Sequence, residues 1–125
     1  MSVTTEKTLK VSSLSFSNGG HTPKKYSCEG ENINPPLEIS GFPPETKTLA
    51  VIVEDPDAPK GVFDHWIIWN IFPNEPIAEN NVPGISGLNS YGTEGYRGPC
   101  PPSGSHRYFF KVCALAGIRY QVDVS

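Results

Sequence analysis

The sequence predicts an all-β domain, a β-sandwich or a barrel, with long loops between its strands. Three observations carry that expectation. First, 12 glycines and 13 prolines are spread through 125 residues, a load that suits a turn-rich β protein and not a helical one. Second, the apolar residues come in short runs bounded by Gly, Pro, Asn and Asp, as strands do. Third, no stretch of ten or more residues has a 3.6-residue apolar period with caps.

The elements follow in order. Residues 9–16 place Leu9 and Val11 in one phase and Leu14 and Phe16 in another, which reads as a strand or a bulged pair. Asn18-Gly19-Gly20 is a turn. Residues 23–26 read as a short extended piece and 28–36 as a loop. Residues 37–39 alternate as a strand until Gly41 and Pro43 stop them. Residues 48–54 are apolar on both faces, so a central strand is expected there. Residues 66–71 repeat that pattern, and 107–114 give a third central strand. Between them, residues 73–95 carry Pro73, Pro76, Pro83 and several glycines without sustained periodicity; so long a connection is often functional. Residues 118–124 alternate Ile118, Tyr120, Val122 and Val124 and read as an edge strand. The aromatics Trp66, Trp69 and Phe72 are expected in the core.

The length fits one domain, 1–125. Net charge is −3 and no Lys/Arg block occurs, which disfavours nucleic acid and anionic membranes as partners. No apolar run has spanning length, and the first ten residues lack a signal-peptide core, so a cytoplasmic protein is expected. Cys28, Cys100 and Cys113 have no metal-ligand spacing. Cys113 reads as a core residue. Free thiols are expected at Cys28 and Cys100, since a disulfide between them needs an oxidising compartment or a thermophile. Neither metal nor cofactor is expected.

Two stretches concentrate polar chemistry. Residues 96–108 form a stiff, proline-rich loop that delivers His106 and Tyr108 to the start of a strand. Asp55-Pro56-Asp57-Ala58-Pro59 follows another strand, and Asp64-His65 opens a third. Convergence of these ends makes a polar cleft of the kind loops form on a rigid sheet. A histidine or an Asp-Pro at such a place is by itself more often structural than functional.

Asp55-Pro56-Asp57-Ala58-Pro59, Asp64-His65-Trp66 and Gly98-Pro99-Cys100-Pro101-Pro102-Ser103-Gly104-Ser105-His106-Arg107-Tyr108 resemble the signature regions of the phosphatidylethanolamine-binding protein family. Residues 26–37 resemble an N-terminal motif of its bacterial and archaeal YbhB/YbcL-type (Raf-kinase-inhibitor-like) branch. The resemblance covers about 9–115. It implies an antiparallel β-sandwich with a small anion pocket at one end, lined by Asp55, His65, Pro101, Pro102, His106 and Tyr108, with Asp57 bracing the loop. It also implies cis bonds at Pro56 and Pro59. The family's usual C-terminal helix has no counterpart after Leu115, so an uncovered edge and a homodimer are expected.

The implied function is non-enzymatic binding of a phosphate or phosphorylated headgroup. Imidazole and phenol groups donate to an anion, and Asp55 orients a histidine and favours its protonated form. Backbone N–H groups around Gly98 and Cys100 could add an anion nest. Arg97 and Arg107 are tempting phosphate partners, though strand alternation turns Arg107 away from His106 and Tyr108. Tyr91 and Tyr96 line the rim or pack the loop. The alternative is a serine protease inhibitor or another regulatory contact, with a protease or kinase partner engaging residues 73–95. A two-His, one-Asp metal-dependent hydrolase ranks below both.

Overall fold

The computed structural model describes residues 9–17, 19, 21–100 and 108–115. Six strands are β1 (Lys10–Ser12), β2 (Glu38–Ser40), β3 (Thr48–Asp55), β4 (Phe63–Ile71), β5 (Ile85–Ser86) and β6 (Phe109–Leu115). A four-stranded sheet runs β5-β4-β3-β6 and a two-stranded sheet pairs β1 with β2. Every pairing is antiparallel. The result is the expected all-β sandwich with long loops. No α-helix occurs among the described residues, and none of their helices is long and apolar enough to cross a membrane. The segment after Leu115, including the strand expected at 118–124, lies outside the described residues.

β3 lies between β4 and β6, and its two-sided apolar sequence matches burial of both faces, Leu49, Val51 and Val53 in one cluster and Ala50 in another. Leu49, Val51 and Val53 point to the main core with Trp66, Ile68 and Ile71 of β4. Leu37 and Ile77 join them from the connections, paired by a bridge with reciprocal backbone hydrogen bonds. The β1–β2 layer closes this face through Val11, Ile39 and the neighbouring Phe42. Truncating any of the buried Leu or Ile side chains to Ala costs about 2–5 kcal/mol. Ala50, Cys113 and Leu115 form a second buried cluster, so Cys113 is a core residue, as expected.

Several sequence expectations are corrected. β1 is three residues long, and Lys24–Tyr26 is a 3-10 turn rather than an extended piece. β6 pairs with β3 alone among the described strands. The connection 73–95 is not structureless: it holds β5 and a Leu88–Glu94 bridge. Trp66 is core, but Trp69 is 38% and Phe72 60% exposed. The register between β3 and β4 slips where Leu49 faces Ile71 but Val51 faces Ile68. Asn70 takes φ 61° inside this irregularity, where an extra residue interrupts the regular alternation of β4. The bonds at Pro56 and Pro59 are trans.

Cys28 and Cys100 form a disulfide with a Cα–Cα distance of 5.4 Å, contrary to the expectation of free thiols. Their 72-residue separation hides the encounter, because it depends on the sheet that places both loops at one end.

Candidate functional site

The site starts with an irregularity in β4. Val53 pairs with Trp66 and Glu54 with Asp64, so His65 is the extra residue of a bulge. It stands inside β4, not at the strand's start as expected. A bulge bends the strand and re-aims a side chain. The backbone of His65 is anchored from the other side: Arg97 N donates to its carbonyl at 3.1 Å. Its ring Nδ1 lies 2.8 Å from Arg97 O. A carbonyl only accepts, so Nδ1 carries the proton and the neutral ring keeps Nε2 as an acceptor.

His65 is 3% exposed, and that burial pushes its pKa below the usual imidazole value. The carbonyls of Arg97 and Gly98 and the carboxylates of Asp55 and Asp64 pull the other way and are outweighed. Asp55 does favour the protonated ring, as expected, but desolvation outweighs its charge.

Asp55 closes β3 opposite Phe63 and is 3% exposed. Its Oδ1 accepts from Asp57 N at 2.8 Å, which fixes the start of the 56–62 turn. The exposed Asp57 takes part in that bracing through its backbone. Tyr108 stands just before β6, and its ring packs edge-on against His65 at 5.3 Å. Burial first, then the charges of Asp55, Tyr91 and Asp57, raises the Tyr108 hydroxyl to about 12. It stays a proton donor through the neutral range. The structure thus gathers Asp55, His65 and Tyr108; Pro101, Pro102, His106 and Arg107 lie outside the described residues.

Sequence reasoning named Tyr91, Tyr96 and Arg97 but missed Phe63 and Asn89, which hold Tyr91. Phe63 packs on His65 at 5.0 Å and on Tyr91 at 4.7 Å. Tyr91 lies 6.2 Å from His65, and the Arg97 guanidinium sits 5.0 Å above the Tyr91 ring. Buried Asn89 holds the turn that delivers Tyr91. Its Oδ1 accepts from Tyr91 N, Thr93 N and Thr93 Oγ1, and its Nδ2 donates to Gly95 O. The only sequence signal was a polar residue in a glycine-rich loop, which also describes any solvated turn.

The 96–100 segment is locked against residues 26–32. Tyr96 packs on Trp66 at 5.7 Å and its hydroxyl donates to Tyr26 O at 2.7 Å. Gly98 N donates to Asn32 Oδ1 at 2.7 Å, so this N–H is not open to an anion as the nest reading requires. Cys28 N donates to Pro99 O at 3.2 Å beside the disulfide. A Cβ on Gly98 would stand 1.9 Å from Tyr26 O, so only glycine lets the two backbones approach this closely.

A family model described as Phosphatidylethanolamine-binding protein matches residues 12–125. The chain belongs to this family. It is closely related to the family's YbhB/YbcL-type members, and that membership is consistent with a non-enzymatic protein. The crystal structure of a putative phosphatidylethanolamine-binding protein homolog from Chlamydia trachomatis superposes with TM-score 0.84 at 42% identity, covering 91% of this chain and 79% of that one. YbcL of E. coli, described as a new member of the mammalian family, gives TM-score 0.81 at 33% identity, covering 93% and 82%. A UPF0098 protein of Archaeoglobus fulgidus is 51% identical over 118 residues, 87% of this chain. The UPF0098 protein of Methanothermobacter thermautotrophicus is 49% identical over 115 residues, 86% of this chain. This chain spans 40% of the Archaeoglobus relative's length and 76% of the Methanothermobacter relative's.

Proposed function

We propose that this phosphatidylethanolamine-binding protein family member binds a phosphate or phosphorylated headgroup, without catalysis, at the site built on His65. The observation that supports it best is the meeting of Asp55 at the end of β3, His65 in β4 and Tyr108 just before β6. Tyr108 offers a donor hydroxyl, and His65 offers a second donor once an approaching anion favours its protonation. Asp55 holds the turn and orients the site rather than touching the anion. Pro101, Pro102 and His106 complete the proposed wall, as one domain over 1–125. Among the described residues no group of three or more His, Cys, Asp or Glu is placed to hold a metal ion, and His106 of the two-His, one-Asp set lies outside them.

The test is a phosphate titration followed by NMR of the imidazole signals, with His65→Asn and His106→Ala as controls. Saturable shifts in the wild type that vanish in the variants are expected. No shift at millimolar phosphate in folded protein would sink the reading.

A second reading is a regulatory contact with a protease or kinase, or with a second copy. It is favoured by exposed Phe72, Val82, Ile85 and Leu88, which concentrate apolar surface on and beside the 73–95 connection. A partner complex indifferent to His65→Asn supports it. A cytoplasmic location is part of the proposal, and it requires a cytoplasm in which the Cys28–Cys100 disulfide persists.

A further inference from the structure

The exposed arginine beside the site has its own geometry. Arg97 cannot drift along the sheet: its N–H and carbonyl are both bonded to His65, and its neighbours Tyr96 and Gly98 are bonded to Tyr26 and Asn32. Tyr96 spends its side chain on the core, against Trp66. The Arg97 side chain instead lies over Tyr91, whose ring is wedged by Phe63 and whose turn is pinned by Asn89. A guanidinium on an aromatic face keeps its in-plane N–H fork free for a second partner. Arg97 is exposed and makes no ion pair with a described carboxylate. Lys111 of β6, by contrast, is paired with Glu54.

Charge gives such a cation a use. The carboxylates of Asp55 and Asp64 act on His65, and those of Asp55 and Asp57 on Tyr108. A phosphoryl dianion needs a fixed positive charge there, and a planar fork matches two unesterified phosphate oxygens.

We propose that Arg97, held on Tyr91, contacts the phosphoryl group directly and selects terminal phosphate monoesters over phosphodiesters. This deepens the anion-binding reading and rests on it. A monoester dianion gains more from the guanidinium than a diester monoanion does, because the interaction scales with the charge on the oxygens. The shared chemistry is a phosphoryl group. A terminal phosphate on a small molecule or protein presents the monoester, and a phospholipid headgroup linkage presents the diester.

The test titrates methyl phosphate and dimethyl phosphate at pH 7.5 into wild type, Arg97→Gln and Arg97→Lys, read by the Tyr108 and His65 ring signals. Wild type is expected to bind methyl phosphate about tenfold or more tighter than dimethyl phosphate, and Arg97→Gln to lose about tenfold on the monoester with little change on the diester. Arg97→Lys keeps the charge without the fork, so it restores part of the loss. The exposed side chain makes a folding defect an unconvincing cause, and an unchanged amide spectrum and melting temperature check this directly. Wild type binding with Arg97→Gln within twofold for both ligands overturns the role of Arg97 and leaves the anion site standing. Tighter binding of dimethyl phosphate overturns the monoester selectivity. Binding of neither ligand by wild type overturns both the site and this inference.

Discussion

Removing the Cys28–Cys100 disulfide perturbs both the fold and the loop on which the site rests. The bridge closes a span of 72 residues, and a cross-link that long removes about 4 kcal/mol of chain entropy from the unfolded state. For a domain of this size that corresponds to about 15 °C in melting temperature. Three hydrogen bonds join the same two loops: Cys28 N to Pro99 O, Gly98 N to Asn32 Oδ1 and Tyr96 Oη to Tyr26 O. Each adds about 1 kcal/mol net, enough to keep the loops together in the folded state without the bridge. Urea unfolding of oxidised wild type against the Cys28→Ser/Cys100→Ser double variant measures the difference. The expected result is a midpoint shift equivalent to about 3–4 kcal/mol with the native amide spectrum retained. A loss under about 1 kcal/mol refutes the reasoning, because the loop ends would then be close in the unfolded chain without the bond. Both half-cystines are exposed, so reduction by a small dithiol in the folded state should reproduce the loss.

The remaining predictions concern the site and its supports. His65 has its pKa lowered in the folded state, so it contributes stability above the unfolded value near 6.5; that contribution is lost as pH falls through 6.5 towards the folded pKa. Urea midpoints across pH 7.5 to 5 should fall for wild type more than for His65→Asn, and a flat difference would refute it. An anion stabilises the protonated ring, so the Kd of dimethyl phosphate, a monoanion throughout this range, should tighten as pH falls, as isothermal titration would report. Gly98→Ala places a Cβ against Tyr26 O, backbone on backbone. It should cost about 1–3 kcal/mol, read by thermal melting. Asn89→Ala leaves Tyr91 N, Thr93 N and Gly95 O without their partner. A loss of about 2 kcal/mol, with exchange broadening of Tyr91 amide signals, is expected.

The sequence by itself determined the strands with two-sided apolar runs, because apolar spacing is a local property. β3 and the core end of β4 are readable from Leu49, Val51, Val53, Trp66 and Ile68 alone. It also marked Asp55, His65 and Tyr108, through ordered motifs rather than through their chemistry, since a strand-end histidine is ambiguous in isolation. The tertiary structure decided what depends on distance across the chain. The bulge that re-aims His65 exists only in the pairing of β4 with β3. Its neutral ring follows from burial that no local carboxylate reveals. The exposure of Trp69 follows from a register slip at Asn70, and hydrophobicity cannot predict on which side of a slip a residue falls. The disulfide joins two loops that share no sequence neighbourhood. Arg97 over Tyr91 comes from a turn shaped by Asn89. Local pattern encodes which segments form strands, whereas pairing register and desolvation are sums over the whole fold, and these set what the site residues can do.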